Sequence, residues 1–148
     1  MKWLLDTNVV SESIRRRPTE RVIRWILQVA PGDAAISTVT MAELSVGIAR
    51  APTPDFREEL KRWIEEWVQE RLARQPLPLT HEVLVEWLDL SRDLAAKRIA
   101  RSAPDLLIAA TARVHGLTVV TRNVRDFADT GIVVYDPWHD RTHRMDPP

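Results

Sequence analysis

The most constraining stretch of this chain is its first eight residues, in which the apolar run Trp3-Leu4-Leu5 ends abruptly at Asp6 and a helical pattern opens at Val9. A buried parallel strand that hands over directly to a helix delivers its last polar residue to the carboxyl edge of a sheet, where ligands of open α/β folds bind. Asp6 could equally be no more than the cap of the following helix, since aspartate is among the best N-caps. The rest of the chain bears on that choice, because the same arrangement recurs. Ala34-Ala35-Ile36-Ser37 runs into a helix carrying Glu43. Leu117 to Thr121 is a β-branched strand followed at once by Asn123 and Asp126.

Between these points the apolar periodicity is helical. A first short helix reaches about Arg16 and stops at the basic break Arg15-Arg16-Arg17-Pro18. A second carries Val22, Ile23, Ile26 and Leu27 and ends before Pro31-Gly32. Thr40-x-x-Glu43 fits a capping box, and Gly47 in the same helix implies close packing against it. A long charged helix from Phe56 to Ala73 sets Trp63 and Trp67 one turn apart, on a core or partner-binding face. Pro76 to Leu79 reads as an edge-like strand, and Thr80 caps a helix through Leu94. Asp105 shares a stripe with Ile108, Ala109 and Ala112, so it faces inward over small residues, although Ser102-x-x-Asp105 can also be written as a cap. Gly116 closes that helix, and Ile132 to Tyr135 is the last expected strand. Strands alternate with helices, which predicts one α/β domain over residues 1–140 with a mostly parallel sheet, followed by a polar tail, 141–148. His139 and His143 lack a helical pattern to align them as metal ligands.

Composition narrows the chemistry. The chain has 148 residues, no cysteine and a formal net charge of +0, so it offers no thiolate metal site and is not a globally basic nucleic-acid binder. No apolar run approaches the ~20 residues of a membrane helix, and no secretory signal precedes Asp6, which leads us to expect a cytoplasmic protein. Carboxylates converging on one sheet edge without basic partners in the same motifs repel one another. Such a cluster suits a hard divalent cation, and Mg²⁺ or Mn²⁺ held by acids drives in-line phosphoryl displacement.

Leu4-Leu5-Asp6-Thr7-Asn8, Thr38-x-x-x-x-Glu43-Leu44, Pro104-Asp105-x-x-Ile108-Ala109-Ala110-Thr111-Ala112 and Thr121-Arg122-Asn123-x-x-Asp126-Phe127 resemble the ordered motifs of PIN-domain ribonucleases. The similarity is greatest to VapC toxins of type II toxin–antitoxin systems, with the FitB branch suggested by Asp136-Pro137-Trp138-His139-Asp140. The resemblance implies a Rossmann-like three-layer α/β/α fold and a Mg²⁺-dependent endoribonuclease, with Mn²⁺ able to substitute. It also implies a cognate VapB- or FitA-like antitoxin, an RNA substrate, a homodimer, and contact with operator DNA only through the antitoxin. Carried onto this chain, Asp6 and Asp105 would be the metal ligands and Glu43 a ligand or orienter of water. Thr7, Asn8 and Thr121 would be hydrogen-bonding supports. Asn123 and Asp126 compete to complete the acidic centre. A haloacid-dehalogenase phosphatase would need an acid at position 8, which is Asn8, and a receiver domain would need an acidic pair near the start. A scaffold that binds its partner or RNA without cleaving is the non-enzymatic alternative.

Overall fold

The computed structural model describes residues 1–72 and 76–148. Ala73, expected at the end of the long helix, lies outside the described residues. In chain order the elements are β1 (Trp3–Leu5), α1 (Thr7–Glu12), α2 (Glu20–Gln28), β2 (Ala34–Ala35), α3 (Thr38–Ala49), α4 (Pro54–Arg71), α5 (His81–Ala96) and α6 (Ala103–His115). They continue with β3 (Thr118–Val120), a 3-10 turn (Val124–Phe127), β4 (Val133–Asp136) and β5 (Arg141–Arg144).

The strands form one sheet in the order β2-β1-β3-β4-β5, parallel except for the last pair. Alternation along each strand divides the core in two. Leu4, Val119 and Val134 pack with Leu90, Leu94, Ile108 and Ala109 of α5 and α6 on one face. Leu5 and Val120 pack on the other with Val9, Val10, Val22 and Ile26 of α1 and α2, Leu44 of α3, and Ile64 and Val68 of α4. Helices on both faces of the sheet give the expected three layers. Trp63 and Trp67 stand 6.1 Å apart, partly buried against the second cluster.

Several local expectations are corrected. The expected polar tail 141–148 is not outside the fold, because Arg141–Arg144 forms β5, antiparallel to β4 with Tyr135 opposite Thr142. Beyond it, Met145 donates its N–H to the Ile132 carbonyl (2.9 Å) and Gly131 donates to Asp146 (2.9 Å). An edge strand can be built of charged side chains, since one flank faces water, and that composition conceals it from a hydrophobicity reading. The first helix ends at Glu12, four residues early. Glu12 is buried, and its carboxylate accepts the Thr19 N–H (2.7 Å) and Arg15 Nη1 (3.2 Å), so the basic break folds back over the helix end. Ser37, not Thr40, caps α3 by accepting the Thr40 N–H at 3.1 Å. A Cβ on Gly47 would meet nothing within 4 Å, so no neighbour requires a glycine there. Pro76 to Leu79 supplies a single parallel bridge, Leu77 to Ser37, in place of a strand. Gly116 closes α6 at φ 62°, the left-handed conformation that favours glycine.

Candidate acidic centre at the carboxyl edge of the sheet

Register places the site. Leu5 of β1 lies beside Val120 of β3, so Asp6 and Thr121 leave the sheet at the same level. Asp6 donates its backbone N–H to the Val120 carbonyl (3.0 Å), and Thr121 donates to Tyr135 (3.0 Å). Asp6 does cap α1, its Oδ1 accepting the Thr7 N–H at 2.7 Å. Capping occupies only one oxygen. Oδ2 accepts the Thr121 hydroxyl (2.6 Å) and Asn8 Nδ2 (2.7 Å). Asn8 also donates to Thr121 Oγ1 (3.0 Å) and accepts the Arg122 N–H (3.2 Å). Thr121 Oγ1 accepts the Asn123 N–H (3.0 Å) as well. Asp6, Asn8, Thr121, Arg122 and Asn123 therefore form one network joining the ends of β1 and β3.

Glu43 projects from the second turn of α3 and is exposed; its Oε2 accepts the Thr7 hydroxyl, which ties the second motif to the first. Asp105 lies in the first turn of α6, partly buried, with Ile108, Ala109 and Ala112 buried beneath it. Ser102 both caps α6 through the Asp105 N–H (3.2 Å) and donates its hydroxyl to Asp105 Oδ2. The cap and the inward-facing acid, which looked like alternatives in the sequence, coexist. The Ser-x-x-Asp spacing was legible, but that the hydroxyl would also hold the carboxylate was not.

The acids influence one another. Burial pushes the Asp6 carboxyl above the ordinary 3.8, hydrogen bonds from Thr121 and Thr7 partly offset this, and the charges of Glu43 and Asp105 raise it further. Asp105 is also raised, first by burial, with Asp126 and Glu43 adding to the rise and Ser102 and Arg101 opposing it. Asp126 sits on the 3-10 turn, close enough to act on Asp105. Asn123 precedes that turn but its side chain makes no capping hydrogen bond. Among the described residues, none of Asp6, Glu43, Asp105 and Asp126 forms a salt bridge. Nor is there a group of three or more His, Asp or Glu side chains placed to cage a metal outright. The donor set is nevertheless all oxygen, mutually repelling and without a paired cation, which fits a hard divalent ion.

A parallel sheet in the order β2-β1-β3-β4, flanked by helices, with Asp6 at the end of β1 and Glu43, Asp105 and Asp126 on the helices and turn beside it, defines an α/β domain with an acidic cluster at one sheet edge. The chain belongs to the PIN domain family, whose model matches residues 3–133. It is 34% identical over 137 residues to the toxin FitB of Neisseria gonorrhoeae, covering 93% of this chain and 99% of that one. It is 32% identical over 135 residues to the VapC ribonuclease Y4jK of Sinorhizobium fredii, covering 91% and 96%. The solved structure of FitAB bound to an IR36 DNA fragment superposes with a TM-score of 0.86 at 32% identity, covering 96% of this chain and 99% of that one.

Proposed function

We propose that this protein is a metal-dependent endoribonuclease and the toxin of a type II toxin–antitoxin pair, acting in the cytoplasm. The observation that carries the reading is the proximity of Asp6, Glu43, Asp105 and Asp126, drawn from separate motifs, in one cluster in which Asp6 and Asp105 are raised first by burial and further by the charges of neighbouring acids. Family membership and the similarity to proteins named as a toxin and a VapC ribonuclease support it. No described helix is long and apolar enough to cross a membrane.

In this reading Asp6 and Asp105 hold Mg²⁺, with Mn²⁺ able to replace it. When bound, the ion supplies Lewis acidity and neutralises charge at the scissile phosphodiester. The protein's own groups do the rest. Thr121 and Asn8 fix the rotamer of Asp6, and Ser102 fixes that of Asp105. Glu43, exposed and held on one oxygen by Thr7, is free to orient water and take its proton through the other oxygen. Asp126 adds negative charge, and Asn123 supplies an amide that orients without neutralising. A VapB- or FitA-like antitoxin covers the site, a homodimer is the functional unit, and operator DNA is contacted only through the antitoxin.

A specific observation favours a second reading. The Asp6 carboxylate already accepts three hydrogen bonds, two of them on Oδ2, and no ready-made metal cage is present among the described residues, as in a scaffold that binds without cleaving. Incubation of the purified chain with structured and single-stranded RNA in Mg²⁺, in Mn²⁺ and in EDTA separates the two. Endonucleolytic cleavage that requires the metal is expected. RNA left intact in every condition favours the scaffold.

A further inference from the structure

Beside the acids, a concave surface carries basic side chains that have no role in the chemistry above. The 3-10 turn and the β4–β5 hairpin enclose a cleft of about 450 Å³ lined by Arg122, Arg125, Arg141 and His139, together with Asp126 and Asp136. Among the described residues none of the three guanidiniums is in a salt bridge. Asp136 pairs with none of them, because it is buried and its oxygens are engaged elsewhere. Its Oδ1 accepts the N–H groups of Trp138 (2.8 Å) and His139 (3.4 Å), and its Oδ2 stands 2.7 Å from His139 Nδ1. Arg122 is held at both ends, its N–H on Asn8 and its guanidinium 5.7 Å from the centre of the Trp138 ring. Asp126 belongs to this cleft and also acts on Asp105, so the cationic surface runs directly into the acidic cluster.

An acidic centre repels the polyanion it must cleave. Guanidinium forks match phosphate oxygens bidentately, and three of them next to the acids offset that repulsion without pairing to the acids themselves. His139 adds discrimination. With the Asp136 carboxylate at Nδ1, the tautomer that satisfies both atoms carries its proton there, and in that tautomer Nε2 is an acceptor. An acceptor in a phosphate-binding cleft meets a donor on the RNA backbone, the 2′-hydroxyl, which the DNA backbone lacks.

We propose that the cleft between the 3-10 turn and the β4–β5 hairpin grips single-stranded RNA beside the scissile bond. Arg122, Arg125 and Arg141 contact phosphates, and His139, positioned by Asp136, accepts a ribose 2′-hydroxyl. The proposal rests on the ribonuclease reading for the identity of the ligand, but binding can be measured without cleavage.

The test is fluorescence anisotropy in EDTA with a labelled single-stranded RNA and the DNA of the same sequence. Wild type is expected to prefer the RNA. Arg125→Gln with Arg141→Gln should weaken both ligands by about tenfold and lower the magnitude of the salt slope by about 1.4, at about 0.7 per phosphate contact on a single strand. His139→Ala should lower RNA affinity about fivefold and leave DNA affinity unchanged, the loss of one hydrogen bond. Arg125→Met with Arg141→Met, which keeps an apolar stem and loses the charge, provides a second pair if the glutamine variants melt early. Unchanged RNA affinity and salt slope in folded arginine variants overturn the phosphate contacts. Equal losses on RNA and DNA in His139→Ala overturn the sugar contact. A poly-glutamate peptide that binds with the same arginine dependence, while RNA does not, overturns the proposal in favour of a protein ligand. Cleft-dependent RNA binding by a chain that cleaves nothing in Mg²⁺ would sink the nuclease reading and leave the cleft standing. Metal-dependent cleavage with KM unmoved by the arginine variants would do the reverse.

Discussion

Thr121 and Asp6, 115 residues apart in the chain, are joined by a 2.6 Å hydrogen bond from the threonine hydroxyl to Asp6 Oδ2. The same oxygen of Thr121 accepts Asn8 Nδ2 and the Asn123 N–H, so one buried hydroxyl serves three partners. Thr121→Val keeps the shape and removes all three. We expect a stability loss of about 1–3 kcal/mol, the cost of leaving buried polar partners unsatisfied. Metal affinity should weaken about 10- to 100-fold, as for other groups that orient a ligand. Chemical denaturation and Mn²⁺ titration check the two parts, and a variant with wild-type values in both would remove Thr121 from the site.

The two principal acids should respond differently to amide substitution. From charge repulsion alone, both Asp6→Asn and Asp105→Asn are expected to leave the fold intact or more stable. The hydrogen bonds change that expectation for Asp6. An amide nitrogen at Oδ2 would face Asn8 Nδ2, donor against donor, a conflict costing about 1–3 kcal/mol. Asp105 accepts only from the Ser102 hydroxyl and backbone-caps nothing, so an amide oxygen can replace it while the repulsion from Asp126 and Glu43 disappears. Asp105→Asn is expected to raise the metal-free melting temperature and Asp6→Asn to lower it. Calorimetry in EDTA reads both.

The pH dependence follows from the same shifts. Asp6 and Asp105 are raised above 3.8, so the folded chain binds more protons than the unfolded one between that value and the raised ones. The stability that protonation contributes is present at low pH and lost as pH rises through the raised values. Glu12 works in the opposite sense. Burial pushes it up, but the Thr19 backbone and hydroxyl and Arg15 outweigh burial and lower it, so its contribution is present above the ordinary 4.5 and lost as pH falls through the lowered value. The advantage of Asp105→Asn over wild type should therefore grow from about pH 4 to neutrality and then level off. A pH-independent difference would show that Asp105 is not raised.

For activity, we expect Asp105→Asn to lose most, Asp126→Asn less and Asn123→Ala least. In the proposed assignment Asp105 holds the ion, whereas Asp126 acts on Asp105 through its charge and Asn123 makes no side-chain capping bond. Single-turnover cleavage of one RNA ranks the three. Asn123→Ala as damaging as Asp105→Asn, with Asp126→Asn silent, would reduce the centre to three acids.

Much of the fold is legible along the chain because its determinants are local. Asp6 following Leu4-Leu5, Gly116 closing α6 and the small residues beneath Asp105 each state their role within a few neighbours. Strand alternation and helical periodicity then define the layers. Misreadings fall where two local signals compete or where the signal is distant. Thr40-x-x-Glu43 reads as the cap of α3, and only the path out of β2 puts Ser37 in that place. Arg141–Arg144 carries no apolar signal at all, and its pairing with β4 depends on Asp140 at φ 53° closing the turn after Trp138.

By itself the sequence determined which residues stand at strand ends and helix starts, because propensity, capping and periodicity act over a few residues. It therefore singled out Asp6, Glu43, Asp105, Asn123 and Asp126. Only the tertiary structure decided how they meet: Asp6 shares Thr121 and Asn8 with the end of β3, Thr7 turns to Glu43, and Asp126 lies within reach of Asp105. It also decided that Asp136, His139 and Arg141 face a common cleft with Arg122 and Arg125. Sheet register and the β4–β5 turn fix those distances, and both are set by contacts between segments far apart in the chain, which no window of neighbouring residues contains.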